Sequence, residues 1–285
     1  MKKGTWSNSV QLLRETWGVI RRHKELVVFP VISGIASILL IGAIMAPAVF
    51  LSGLAGGEFD RQWVFYAFLF LFYFVTSFVV IFMNTGLISC AQVILQGGDP
   101  SISDGFSVAF QHVGKIAVWA LINASVGMVL RTIRERGGII GSILAGLVSV
   151  AWNLITFFVI PVIIFQGYGV MDSIKESASV FKRTWGENVV ARFSIGLIFF
   201  LLGCAAVAPI ALAVLTGQAA VIIVVAAAVL LYWVALAIIS ATLTGILSTA
   251  LYDYATTEQV PPAFTPQTIT AAFAQKPAGR MRGSR

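Results

Sequence analysis

Four stretches of the chain hold no Asp, Glu, Lys or Arg: residues 27–57, 62–98, 137–171 and 193–252. Each exceeds the roughly 20 residues that a helix needs to cross a hydrocarbon core. Their apolar positions run continuously, without period-two alternation, which disfavours the strands of a membrane barrel. The last stretch would form a helix of about 90 Å, three bilayer cores, so it must fold back. Its polar interruption is Leu215-Thr216-Gly217-Gln218-Ala219, and a hairpin is expected there. The pattern predicts six spans, at 27–52, 63–95, 113–131, 139–166, 189–215 and 219–252.

The spans are not alike. Span 3 has an uncharged core of only 15 residues, Ile116 to Leu130, with Lys115 and Arg131 expected to snorkel from its ends. Span 2 carries aromatics all round and is expected to face lipid over much of its circumference. Span 4 repeats small or polar residues every four positions: Gly137, Gly141, Ala145, Ser149 and Asn153. Span 6 has a similar ladder of Ala237, Ala241 and Gly245. Small-residue stripes let helices approach closely, so spans 4 and 6 are expected to lie innermost. Pro47, Pro161 and Pro209 are expected to kink spans 1, 4 and 5.

A different period marks the segments between spans. Trp6, Val10, Leu13 and Trp17 recur at intervals of 4, 3 and 4, and Ile174, Ala178, Phe181 and Trp185 repeat that spacing 168 residues later. Thr-Trp-Gly closes both, as Thr16-Trp17-Gly18 and Thr184-Trp185-Gly186. A third stripe is Ile102, Phe106, Phe110 and Val113, and Ser101–Val108 matches Ser173–Val180 in the form Ser-Ile-x-acid-x-x-Ser-Val. Ser101 with Asp104, and Ser173 with Glu176, have capping-box spacing, so each is expected to open a helix. The fold class is therefore all-α integral membrane: three pseudo-repeats, each an interfacial amphipathic helix (about 5–22, 101–112 and 173–186) followed by two spans. Trp17 and Trp185 suit the headgroup level. Gly18 and Gly186 would let the chain bend from lying on the membrane to crossing it, making these pairs structural elbows. The rival reading is that the tryptophans line a ligand cage.

Composition agrees: 58% of residues are hydrophobic and 11% charged, against roughly 25% charged in soluble domains. The net charge of +7 fits orientation and contact with anionic lipid heads better than nucleic acid. With the N-terminus inside, 15 of the 19 Lys and Arg fall on the cytoplasmic side; Arg61, Arg131, Arg134 and Arg136 fall outside. Both termini are expected to be cytoplasmic. The first apolar run is too long for a cleavable signal and is expected to be a retained anchor. Residues 1–258 form one membrane domain, and 259–285 a partly disordered cytoplasmic tail. Thr265-Pro266 would open a short helix through Phe273.

Chemistry is sparse. Cys90 and Cys204 lie in apolar runs without metal or disulfide spacing. His23 and His112 are far apart in sequence, and no metal, cofactor or catalytic constellation can be assembled. Asn84, Asn123 and Asn153 lie at membrane depth, for interhelical packing or for a solute path. No ionisable residue accompanies them, which disfavours an ion-coupled pump. Arg131, Arg134 and Arg136 sit between spans 3 and 4, with Glu135 placed to pair with Arg131 at i,i+4. They are either a solvated helix end or a site for lipid phosphate or an anionic solute.

Phe29-Pro30-Val31, Gly97-Gly98-Asp99-Pro100, Leu130-Arg131 through Glu135-Arg136, Ala151-Trp152 with Pro161-Val162, Thr184-Trp185-Gly186-Glu187, and Leu251-Tyr252 with Tyr254-Ala255 resemble an uncharacterised family of six-span prokaryotic membrane proteins. That family is a domain of unknown function, and the resemblance implies architecture without activity. The pattern is more loosely similar to the membrane domain of some glycerophosphodiester phosphodiesterases, whose catalytic domain has no counterpart here. The reading is a non-enzymatic protein of a prokaryotic plasma membrane. It would interact with lipids, anionic ones included, or act as a scaffold or accessory subunit for a protein partner or a second copy. The alternative is a passive channel or facilitator for a small solute.

Overall fold

The computed structural model describes residues 3–54, 61–185 and 190–272, and every regular element among them is helical. Six helical segments are long and apolar enough to span a membrane. The chain divides into two compact units, one of Lys24–Phe181 and one of Met1–His23 with Lys182–Arg285.

In the first unit a short 3₁₀ turn, Lys24–Val27, leads into α2 (Val28–Leu54), which follows α1 (Lys3–Arg22) of the other unit. Next come α3 (Arg61–Leu95), α4 (Ile102–Gln111), α5 (Val113–Arg136), α6 (Gly138–Ile155) and α7 (Val159–Phe165). The unit ends at Phe181 within α8 (Val170–Trp185). The hub is α3, which packs against α2, α4, α5 and α7. Its expected lipid-facing character is thus corrected for the half from Ile81 to Leu95, which is largely buried. One core joins Ile81 and Phe82 of α3, Ala109 of α4, Ile116, Trp119 and Ala120 of α5, Val159 and Ile163 of α7, and Val170 of α8. A tight contact flanks it. A Cβ on Gly105 would lie 2.5 Å from Phe29, 2.8 Å from the Cys90 sulfur and 2.9 Å from the Gly86 carbonyl.

The second unit holds α1, α9 (Val190–Ala205), α10 (Val207–Leu215), α11 (Ala219–Thr257) and α12 (Pro266–Ala272). The turn at Thr216–Gln218 is where the hairpin was expected, with Gly217 at φ +66°, a conformation that glycine adopts at no steric cost. Helix α1 packs on α9, α11 and α12. Glu15 of α1 receives hydrogen bonds from the Thr265 backbone N–H (3.3 Å) and hydroxyl (3.0 Å) and from the Thr268 hydroxyl (3.0 Å). A carboxylate therefore satisfies the start of α12, where helix N–H groups lack internal partners. The last tail residues, 273–285, lie outside the described residues.

Proline breaks two spans. Residues 156–158 separate α6 from α7, and Ala206 separates α9 from α10; Pro161 and Pro209 each stand third in the following helix. A proline has no N–H and its ring clashes with the preceding turn, yet hydrocarbon leaves no water for the freed backbone groups. Side chains from neighbouring segments fill the gap. Ser177 of α8 donates to the Ile155 carbonyl at 2.5 Å and accepts from the Phe158 N–H at 3.0 Å. Tyr232 and Trp233 of α11 donate to the Leu202 and Gly203 carbonyls, each at 3.1 Å. At Pro47 no break occurs; α2 runs through it.

Three expectations are corrected. Ser173 does not open a helix: α8 begins at Val170, and Ser173 is fully buried inside it. At α4 the capping box is present in full, with Ser101 as N-cap and Asp104 closing it. The small-residue ladders of spans 4 and 6 are buried only in part. On α6 the small stripe at Gly141 and Ala145 is buried, but Ile139, Ile143 and Leu147 are exposed. On α11, Ala237 and Ala241 are exposed; Val229 is buried before them, and most of the buried residues follow from Thr242. Finally, the bulky stripes of the connecting helices flank the buried lines. Thr16, Gly105, Ala109, Ser173 and Ser177 are buried, while Phe106, Ile174 and Phe181 are half-buried and Phe110 is exposed. Close contact between helices favours small residues, which make up the buried line of α4; on α1 and α8 the larger Leu12, Val19, Ile20 and Val180 are buried as well.

Candidate functional site

The arginine corner is built by glycines. Helix α5 ends at Arg136 and α6 starts at Gly138, with Gly137 as the cap of both. A Cβ on Gly137 would lie 2.6 Å from the Gly141 Cα and 2.7 Å from the Ile133 carbonyl. Gly138 has φ +56°. These residues let the chain reverse in a single turn, so the arginines at the end of α5 adjoin the first turn of α6.

The three arginines differ in surroundings. Arg131 Nε donates to Glu135 Oε1 at 2.6 Å, as the i,i+4 spacing expects. Its guanidinium carbon lies 6.0 Å from the Phe65 ring centroid. Carboxylate and aromatic faces both suit a guanidinium. Arg134 and Arg136 are exposed. Beside them Ile139 and Ile140, at 82% and 74% exposed, are among the barest large side chains of the molecule. Positive heads next to bare aliphatic surface can accept an anion carrying a hydrocarbon tail.

The three asparagines meet three environments. Asn84 is half-buried on α3 and Asn153 is exposed on α6. Asn123 donates to the Trp119 carbonyl at 3.0 Å and accepts from Trp152 Nε1 at 3.2 Å. The two indole rings lie 5.9 Å apart. Asn123 thus ties α5 to α6, a packing role that gives no support to a solute path. Lys115 is held as well: its amine donates to the Gly167 carbonyl at 2.6 Å.

The Gly18 elbow is corrected. Helix α1 continues unbroken through Gly18 to Arg22, so no bend falls at Gly18. An added Cβ at Gly18 would meet nothing within 4 Å. Trp17 is half-buried, with the Arg21 guanidinium 6.0 Å from its ring centroid. Trp185 is the last residue of α8, and Gly186 lies outside the described residues.

The bridging role of Ser177 and the capping role of Glu15 escaped the sequence reading. Their partners lie 22 and 250 residues away, and a Ser or Glu on a helix carries no mark of so distant a bond. The proline at 161 was the one available signal that some side chain must repair the span.

Searches of curated proteins and of solved structures find no match. The model of a family of unknown function, DUF6159, matches residues 63–261, which is more than half of the chain and takes in the arginine corner, both broken spans and the α11 ladder. The chain belongs to this family of unknown function.

Proposed function

We propose that the protein is a non-enzymatic, lipid-interacting component of a prokaryotic plasma membrane that holds an anionic headgroup at the α5–α6 corner. The observation that carries this is the split among the arginines. Arg131 is occupied by Glu135 and Phe65, whereas Arg134 and Arg136 stand exposed beside the bare Ile139 and Ile140. Arginine forks suit phosphate oxygens, and the aliphatic pair suits the acyl chains beneath. In this reading α1, α4 and α8 are interfacial helices of three related units, both termini are cytoplasmic, and the corner faces outward, following the distribution of Lys and Arg.

Native mass spectrometry of protein released from mild detergent tests it. Wild type is expected to retain an anionic phospholipid stoichiometrically, and both R134Q/R136Q and the triple variant with R131Q are expected to lose it. R131Q alone is expected to weaken the helix end while keeping the lipid. Equal retention in all four proteins would remove the headgroup reading.

A further inference from the structure

At the opposite end of α5 from the arginines, four large apolar side chains lie open: Phe110 is 63% exposed, Val113 41%, Tyr168 46% and Met171 61%. Val113 opens α5, and the other three lie beyond the ends of the spans Val113–Arg136 and Gly138–Phe165. They form one neighbourhood. Ala109, Ile116 and Val170, the residues beneath them, share a single core. The bond from Lys115 to the Gly167 carbonyl fastens the start of α5 to the loop that carries Tyr168. Phe110 is braced edge-on against Phe82, with ring centroids 4.9 Å apart. A braced, exposed aromatic ring is a costly feature to present to water.

The surrounding charge is nearly balanced. Asp104, Lys115, Asp172, Lys175 and Glu176 line these elements, and Lys175 pairs with Asp172 at 3.1 Å. We infer that Phe110, Val113, Tyr168 and Met171 form a wedge that seats in the headgroup–acyl boundary of the leaflet at this end of α5. The wedge is driven by apolar burial and is indifferent to lipid charge. The occupant is the bilayer because Val118, Leu121 and Val129 are exposed along the candidate span α5, so the patch continues, just past the end of that span, a bare apolar surface at the depth where an amphipathic helix lies. This goes beyond the headgroup reading, which concerns the other end of α5 and requires anionic lipid. The two can fail separately.

The test uses nitroxide labels on the full chain in phosphatidylcholine vesicles. Cys204 is exposed and is replaced by serine; Cys90 is buried. Single cysteines replace Phe110, Tyr168, Met171 and, as the polar control, Lys175. The first three labels are expected to relax strongly with oxygen and weakly with a water-soluble nickel chelate, placing them about 5–10 Å into the interface. The control should report water. Adding anionic lipid should leave the depths unchanged. Nickel-accessible labels at all three positions would overturn the wedge, as would labels shielded from both reagents, which would mean a protein cover. Because Tyr168 and Met171 are read separately from Phe110, loss of folding in one variant leaves the answer intact.

Discussion

Ser177 and Ser173 stand one turn apart on α8, and both are fully buried. Their hydroxyls have opposite fates. Ser177 serves both sides of the break in span 4, while the Ser173 hydroxyl has no hydrogen-bond partner among the described residues. Each buried backbone group left without a partner costs about 1–3 kcal/mol. S177A is therefore expected to lose on the order of 2 kcal/mol in a detergent unfolding series, whereas S173A should be neutral or slightly stabilising. Similar losses in both would show that the break is repaired elsewhere. Gly18 offers a second contrast. It sits within a continuous helix with open space around its Cα, so G18A should raise the melting temperature, by about 0.5–1 kcal/mol of stability. A marked loss would restore the elbow. The Thr-Trp-Gly motif was legible as a recurrence, but its mechanical meaning was not. Helical hydrogen bonding overrides the conformational freedom of a single glycine, and α1 runs on unbroken to Arg22.

Among the elements, α4 carries the clearest titratable device. The Asp104 carboxylate accepts from the Ser101 N–H and hydroxyl, both at 2.8 Å. The backbone bond, then the hydroxyl bond, hold its pKa below the ordinary value of 3.8. A group whose pKa falls on folding contributes stability above its unfolded value and loses it as pH drops through the folded one. Wild type should therefore melt above D104N at neutral pH, and the gap should close as pH falls below about 4. A gap independent of pH would place the effect in packing instead. This box was legible from Ser101 and Asp104 alone, because capping is local. The same spacing at Ser173 misled, because Gly169 and Val170 let α8 start a turn earlier and put the serine in the core. Locality also separates the spans that were read well from their packing. Continuous apolar runs and the polar hairpin at Thr216–Gln218 mark where helices begin and end. Which face meets which neighbour depends on where small residues find partners, and a sequence ladder cannot name the partner.

For the whole molecule, six candidate spans and the bias of Lys and Arg set a testable sidedness. Cysteines placed at Gly138 and Gly217, the turns after α5 and α10, should react with an impermeant maleimide added outside intact cells. Cysteines at Ser103 and Gly167 should react only after the membrane is opened. The reverse pattern would invert the topology and, with it, the leaflets assigned to the arginine corner and the apolar wedge. At this scale the sequence carried the number of spans and the charge asymmetry. It did not carry the grouping of α1 with α9, α11 and α12, because that contact joins the two ends of the chain and rests on packing rather than on any local pattern.

The serine that closes the break in span 4 also fixes an order of events during synthesis. Ile155 and Phe158 leave the ribosome well before Ser177. Until α8 has emerged and docked, the break in that span lacks the Ser177 bonds to the Ile155 carbonyl and the Phe158 N–H. The bonded form of the break is therefore expected only after α8 has been translated. Completion of span 4 then waits on a residue that follows it in the chain.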